Sequence, residues 1–175
     1  MRELKRYIIV AGINGAGKST LYRARPELFT HSKRLNADEI LQKMGSDWHK
    51  DRDNFRAMRE EIKQLHTALD TGQSIHVETT LSGQGKAQLN LIDRAHQNGF
   101  EVTLLYVALK NEKVAINRVH ERVKKGGHGV PDEVVKKRYN QSNQNLAAVA
   151  FKADNVVICD NSQKFVSVTD ESMTR

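Results

Sequence analysis

The chain has 175 residues and carries 28 Lys and Arg against 21 Asp and Glu, a formal net charge of +7. This length fits one domain over residues 1–175, and the single cysteine, Cys159, excludes an internal disulfide framework and a four-cysteine zinc site. The N-terminal apolar run has four or five residues, too few for a signal peptide or a spanning helix, so we expect a soluble cytoplasmic protein with no membrane partner.

Strands and helices alternate along the sequence. Short apolar runs predict buried strands at residues 7–11, 35–38, 74–78, 102–108 and 155–159. Periodic spacing with Pro and Gly at the ends predicts helices at residues 19–25, 51–69, 85–98, 111–125 and 131–150. In the second of these helices, one apolar face is formed by Phe55, Met58, Ile62, Leu65 and Leu69. This order predicts an α/β fold, a three-layer sandwich with a mostly parallel sheet of about five strands.

Residues 12–19 (GINGAGKS) match the phosphate-loop pattern G-x-x-x-x-G-K-[ST], between a predicted buried strand and a helix. Glycines in such a loop let backbone N–H groups surround phosphate oxygens. Lys18 can reach the β- and γ-phosphates, and the Ser19 hydroxyl can bind Mg²⁺. We therefore expect ATP or GTP with Mg²⁺, contacted by Gly12, Asn14, Gly15, Ala16, Gly17, Lys18, Ser19 and Thr20.

Two acidic residues, Asp38 and Glu78, stand at strand ends, where open α/β sheets bind ligands. Phosphoryl transfer to a hydroxyl needs a carboxylate to accept its proton or orient it, and a carboxylate can also hold Mg²⁺ through water. Asp38 could instead cap a helix beginning at Glu39. Glu78, followed by Thr79 and Thr80, predicts a polar turn that faces a ligand.

Residues 110–140 contain nine Lys or Arg and four acids, so +5 of the net charge lies in this segment. Charge alone is consistent with a solvated helix face, a nucleic-acid footprint or a small-phosphate clamp. Arg118 and Arg122 share one helix face, and Arg138 follows a glycine-rich break. We interpret residues 111–140 as a helical lid whose arginines neutralise a transferring phosphoryl group, with surface pairs to Glu121 as the alternative.

Four segments together resemble the zeta-toxin family of P-loop kinases, specifically its short stand-alone members described as predicted ATPases. They are residues 12–20 (GINGAGKST), 36–38 (NAD), 77–83 (VETTLSG) and 118–139 (RVHERVKKGGHGVPDEVVKKRY). The resemblance implies a kinase fold related to nucleotide kinases. The best-known members transfer the γ-phosphate of ATP to the 3′-hydroxyl of the sugar in UDP-N-acetylglucosamine, and an antitoxin protein is a possible partner.

The resemblance also implies roles for individual residues. Lys18 and Ser19 would bind phosphate and Mg²⁺, and Asp38 would be the catalytic aspartate that activates the acceptor hydroxyl. Glu78 would contact the sugar. The matching arginines are Arg118 for the γ-phosphate, Arg122 and Arg138 as candidates for the second such arginine, and Arg59 on the substrate side.

Two enzyme classes stay open on the sequence. The first is a small-molecule kinase with a nucleotide-sugar type of acceptor. The second is a polynucleotide or nucleoside kinase, or an NTPase, that uses the basic lid to bind nucleic acid, although nucleic acid is the less favoured partner. A nucleotide-gated binding module with an antitoxin-like partner is a third, non-enzymatic alternative.

Overall fold

A computed structural model describes residues 4–45, 50–163 and 166–167. Its strands are β1 (Lys5–Ala11), β2 (Lys33–Leu35), β3 (Ile75–Thr79), β4 (Phe100–Ala108), β5 (Asn155–Asp160) and β6 (Val166–Ser167). Its helices are α1 (Lys18–Ala24), α2 (Ala37–Lys43), α3 (Asp51–Thr71), α4 (Lys86–Gln97), α5 (Glu112–Lys124) and α6 (Asp132–Lys152), with a 3₁₀ helix at Pro26–Phe29.

The strands form one sheet in the order β2-β3-β1-β4-β5-β6. The first five are parallel, and only the two-residue β6 is antiparallel to its neighbour. This confirms the predicted α/β fold with a mostly parallel sheet. The register places Ala11 opposite Thr79 and Leu35 opposite Val77, so the carboxyl ends of the three strands next to the phosphate loop meet at one edge.

The side chains of β1 alternate between two cores, one on each face of the sheet. The sheet and the helices on its two faces form the three layers. Tyr7 and Ile9 belong to the core under α3 and α4, and Ile8 and Val10 belong to the core under α1 and α5. All four side chains are at most 3% exposed, as expected for a central parallel strand covered on both faces.

The predicted strand at residues 35–38 is shorter than expected. The strand β2 ends at Leu35, and α2 begins at Ala37. Asn36 between them has extended backbone angles and acts as the helix cap, which ends the strand there.

The helix α3 confirms the predicted helical span, but its apolar face is buried only in part. Leu65 and Leu69 are buried, whereas Phe55, Met58 and Ile62 are 63%, 51% and 48% exposed. At 21 residues α3 is about 31 Å long, while the five-residue strand it leads into spans only about 17 Å. The core under α3 is formed by its C-terminal part, where Leu65, Ala68 and Leu69 are buried, while the large apolar side chains before Leu65 lie in solvent. Within the described ranges, no helix is both long and apolar enough to cross a membrane.

Candidate functional site

The phosphate loop needs glycine at two positions for reasons visible in its backbone. Gly12 and Gly15 have φ values of 144° and 78°, a region that side chains rarely adopt. A Cβ at Gly12 would lie 2.7 Å from the carbonyl oxygen of Val107, and one at Gly15 would lie 2.6 Å from that of Ala115. The loop is thus pressed against β4 and α5, and only glycine fits these contacts.

Lys18 lies across its own loop. Its Nζ donates to the carbonyl oxygens of Gly12 at 2.6 Å and Ile13 at 3.3 Å. Burial lowers the pKa of Lys18 to about 8, although the negative charges of Glu78 and Asp38 oppose the shift. A phosphate placed at the loop would favour the charged lysine and would raise this pKa again.

Ser19 and Thr20, in the first turn of α1, expose their side chains to solvent. The Ser19 hydroxyl is a suitable oxygen ligand for Mg²⁺, which commonly keeps several waters and binds few protein groups besides substrate phosphates. The described residues contain no group of three or more His, Cys, Asp or Glu side chains arranged to hold a metal. Ser19 with nucleotide phosphates and water fits the ion chemically.

Asp38 is held at the N-terminus of α2 without being its cap. The side-chain oxygen of Asn36 accepts from the backbone N–H groups of Asp38 at 2.8 Å and Glu39 at 3.2 Å, so the alternative that Asp38 is the cap is wrong. The Asp38 side chain is exposed. Its negative charge favours the charged forms of Lys18 and Arg138, which both contact the phosphate loop.

Glu78, the penultimate residue of β3, is held by neighbours on the β2 side. Its Oε1 accepts from Arg34 at 2.6 Å and from the side-chain amide of Asn36 at 3.0 Å, and its side chain is only 13% exposed. Arg34 also pairs with Glu39 at 2.9 Å and lies 4.2 Å from the ring centre of Tyr22. Glu78 therefore helps to fix Asn36, the residue that caps α2. The predicted contact of Glu78 with substrate stays a prediction.

Sequence reasoning missed Glu61 on α3. It lies on the buried stripe between Ala57 and Leu65, and its carboxylate accepts a hydrogen bond from the backbone N–H of Ala37. Burial raises the pKa of Glu61 to about 7, and the nearby charges of Asp38 and Glu78 add to the rise. Glu61 thereby satisfies the first helical N–H of α2, next to those that Asn36 satisfies.

The structure separates the three lid arginines. Arg138 donates to the side-chain oxygen of Asn14 in the phosphate loop at 2.7 Å. Arg122 lies near enough to Lys18 for its charge to lower the lysine pKa, and its Cγ would be 2.6 Å from a Cβ at Gly127. The positive charges of Arg122 and Arg138 thus both act on Lys18 and lower its pKa.

Arg118 lies against the other side of the loop. It donates to the carbonyl oxygens of Asn161 at 2.7 Å and Ser162 at 3.4 Å, and it lies 3.5 Å from that of Gly15. Asn161 in turn donates to the carbonyl oxygen of Ala16 at 2.8 Å. These contacts join the phosphate loop to the end of β5, and the predicted γ-phosphate contact of Arg118 stays a prediction.

The proposed surface pairing of the lid arginines with Glu121 is wrong. Glu121 pairs instead with Lys124 at 2.6 Å, and Glu133 pairs with Lys136 at 2.8 Å. Part of the basic block is therefore a solvated helix surface.

The polar turn after β3 is tied to α6. The Thr80 and Ser82 hydroxyls lie 2.7 Å apart, and the Thr79 hydroxyl accepts from the N–H of Leu81 at 3.1 Å. The side-chain amide of Asn145 donates to the carbonyl oxygen of Leu81 at 2.7 Å. These bonds stiffen the turn that we expect to face the acceptor.

Arg59 is exposed on α3. It lies two residues from Glu61, which in a helix places it on nearly the opposite face. Among the described residues it has no ion pair, and its substrate-side role stays a prediction.

The chain is similar to known proteins in sequence and in fold. The family model described as Zeta toxin matches residues 2–172. A Haemophilus influenzae protein described as an uncharacterized protein is 31% identical over 132 residues, covering 75% of this chain and 91% of that protein.

Two solved structures show the same fold. A chain of the PezAT toxin-antitoxin system of Streptococcus pneumoniae matches with a TM-score of 0.66 and 16% identity, over 98% of this chain and 75% of that one. A candidate kinase from Chloroflexus aurantiacus matches with a TM-score of 0.65 and 20% identity, over 93% and 88%. The fold is that of P-loop kinases.

Proposed function

Because the chain belongs to the zeta toxin family, we propose that it transfers the γ-phosphate of ATP to a hydroxyl of a small molecule. One observation carries the proposal. Lys18 and Arg138 come from distant parts of the sequence, yet both contact the phosphate loop, at 2.6 Å from the Gly12 carbonyl oxygen and 2.7 Å from the Asn14 side-chain oxygen. Asp38 begins a helix that Asn36 ties to the end of the neighbouring strand β3, and its charge acts on both cations. A phosphate-binding cation, an exposed carboxylate and a second cation are the groups that phosphoryl transfer needs.

In the proposed reaction the acceptor oxygen forms a bond to the γ-phosphorus, and the bond from that phosphorus to the β–γ bridging oxygen breaks. The electron pair of the broken bond leaves with ADP. Asp38 orients the acceptor hydroxyl and takes its proton. Lys18, Arg122 and Arg138 stabilise the charge on the transferring group. Ser19 would hold Mg²⁺, which neutralises phosphate charge when bound.

The family resemblance favours a nucleotide sugar of the UDP-N-acetylglucosamine type as acceptor, with Glu78, Thr79 and Thr80 on the acceptor side. The polynucleotide-kinase alternative relied on a free basic lid. Pairing of Lys124 and Lys136 with acids weakens that support. An ATP-dependent reaction is consistent with a cytoplasmic location, and the likeness to a toxin-antitoxin structure supports an antitoxin-like partner.

The test is incubation with Mg²⁺·ATP and a panel containing UDP-N-acetylglucosamine, nucleosides and a 5′-hydroxyl oligonucleotide, followed by mass spectrometry. We expect a product one phosphoryl group heavier from the nucleotide sugar. The Asp38→Asn variant should bind ATP as the wild type does and should form no product. Phosphorylation of only the oligonucleotide would replace this proposal with the alternative, and transfer retained by Asp38→Asn would remove Asp38 from the mechanism.

A further inference from the structure

We propose that the outer surface of α3 binds an acidic amphipathic helix of another protein chain. The surface has two parallel parts. An apolar ridge consists of Phe55, Met58 and Ile62, and a basic row beside it consists of Arg52, Arg56, Arg59 and Lys63. Neither part has a role in the proposed reaction apart from the predicted substrate contact of Arg59.

The apolar ridge has the spacing of a packed helix face but lies in solvent. Its three side chains are 63%, 51% and 48% exposed, and they follow one another at intervals of three and four residues. Residues at these intervals are neighbours on one side of a helix, so they form a continuous strip about two turns long. Contiguous exposed apolar side chains with a polar border mark interaction sites more often than scattered ones do.

The basic row gives the partner its chemistry. All four side chains are exposed, at intervals of four, three and four residues, and none forms an ion pair within the described part of the chain. Other exposed cations do find acids, as Arg94 does with Asp70 at 2.7 Å. On α3 itself Glu61 is turned toward α2, and Glu60 accepts from Gln64 at 3.0 Å. A partner with acidic residues beside an apolar strip would match both parts.

The two other occupants fit less well. A symmetric dimer of this chain through α3 would bring two rows of four unpaired cations close together, which is unfavourable. Single-stranded nucleic acid binds on aromatic stacking surfaces, and the ridge offers one aromatic ring, Phe55. An apolar strip of two helical turns instead fits helix-on-helix packing.

The probe is a fluorescent 21-residue helical peptide with Leu at positions of one face and Glu on both flanks. We expect saturable binding by fluorescence anisotropy that weakens as salt is raised from 50 to 300 mM, since exposed charge pairs are screened over about 10 Å at 0.1 M. Phe55→Ala with Met58→Ala, and Arg52→Glu with Arg56→Glu, should each weaken binding about tenfold or more, because truncated anchors of an interface lose energy of this order.

The controls are an exposed apolar residue and an exposed cation elsewhere, in the variants Leu4→Ala and Lys86→Glu. Both should stay within about twofold of the wild type, since surface changes outside an interface have small effects. Circular dichroism on every variant checks that the fold is retained.

Three results would overturn the proposal. The first is a failed peptide titration, in which the Glu peptide does not bind or a peptide with Lys in place of Glu binds equally well. The second is displacement of the peptide from α3 by a 20-nucleotide oligonucleotide. The third is a dimer in sedimentation that Phe55→Ala converts to monomer. Because none of these measurements involves ATP, the proposal stands or falls independently of the kinase reaction.

Discussion

The Asn36 side chain connects Glu78 to the helix that carries Asp38. Its amide donates to Glu78 at 3.0 Å, while its oxygen caps α2 by accepting from the Asp38 N–H at 2.8 Å. One residue thus fixes the start of α2 against the end of β3. The position of the proposed base depends on this double contact.

Replacement of Asn36 should therefore affect catalysis more than stability. Asn36→Ala removes the cap, which costs about 1 kcal/mol of unfolding free energy, and also frees Glu78. The control is Asn111→Ala, which removes the equivalent cap of α5. The Asn111 side-chain oxygen accepts from the Val114 N–H at 3.2 Å. Urea unfolding should show similar losses for both variants, and only Asn36→Ala should lower kcat strongly. Equal kcat in the two variants would contradict a positioning role.

The affinity for ATP should fall at alkaline pH. Lys18 is charged below its pKa of about 8 and loses its charge above it. Bound phosphate favours the charged lysine, so affinity is highest below this pH and weakens as the pH rises through and beyond it. The limit for one coupled proton is about tenfold per pH unit. Titration calorimetry between pH 7 and 9.5 measures the slope, and Lys18→Met should show weak binding with no such slope.

Glu61 should make the protein less stable as the pH rises toward 7. Its folded pKa of about 7 lies above the ordinary value of 4.5, so the folded state holds a proton that the unfolded state has lost. Unfolding free energy therefore declines between about pH 4.5 and 7 and no further above that range. Glu61→Gln keeps an oxygen for Ala37 N–H, and it should flatten this dependence and stabilise the protein at pH 8. Urea unfolding of the wild type and of Glu61→Gln at a series of pH values between 4 and 8 measures the dependence.

Two glycine replacements distinguish the effect of backbone strain from that of a steric clash with the new Cβ. Gly126 has a φ of 81°, and a Cβ added there would have no atom within 4 Å. Gly126→Ala should therefore lower the unfolding free energy only through backbone strain, by about 1–2 kcal/mol. Gly15→Ala adds a contact of 2.6 Å with the carbonyl oxygen of Ala115. We expect Gly15→Ala to show no ATP binding in titration calorimetry. We also expect it to unfold at a lower urea concentration than Gly126→Ala. ATP affinity unchanged in Gly15→Ala would show that the loop tolerates displacement.

Loss of Arg118 should mainly lower stability, whereas loss of Arg138 should mainly lower kcat. Arg118→Ala removes bonds to the carbonyl oxygens of Asn161 and Ser162, and should lower the unfolding free energy by about 1–3 kcal/mol. Arg138→Ala should lower kcat about 100-fold or more with a smaller change in stability, as for loss of one charge-stabilising donor. A stable Arg118→Ala variant with equally low kcat would support the γ-phosphate contact that the family resemblance implies.

The parts of the site that the sequence revealed are those that lie together in it. The phosphate loop is a continuous run of eight residues, so its glycines, Lys18 and Ser19 could be identified without knowing the fold. Arg34 and Glu61 could not. Arg34 meets Glu78 across 44 residues of sequence, and only the pairing of β2 with β3 brings them together. Periodicity likewise identified the α3 helix but could not tell that Phe55, Met58 and Ile62 on its apolar face lie in solvent.

The phosphate loop and the polar turn share one backbone hydrogen bond, from the N–H of Gly12 to the carbonyl oxygen of Thr79 at 3.1 Å. Gly12 begins the loop that would hold ATP, and Thr79 begins the turn that we expect to face the acceptor. If ligand binding shifts one of these two segments, the hydrogen bond should therefore displace the other. The two substrates should not bind independently, and steady-state kinetics should show that the KM for each depends on the concentration of the other.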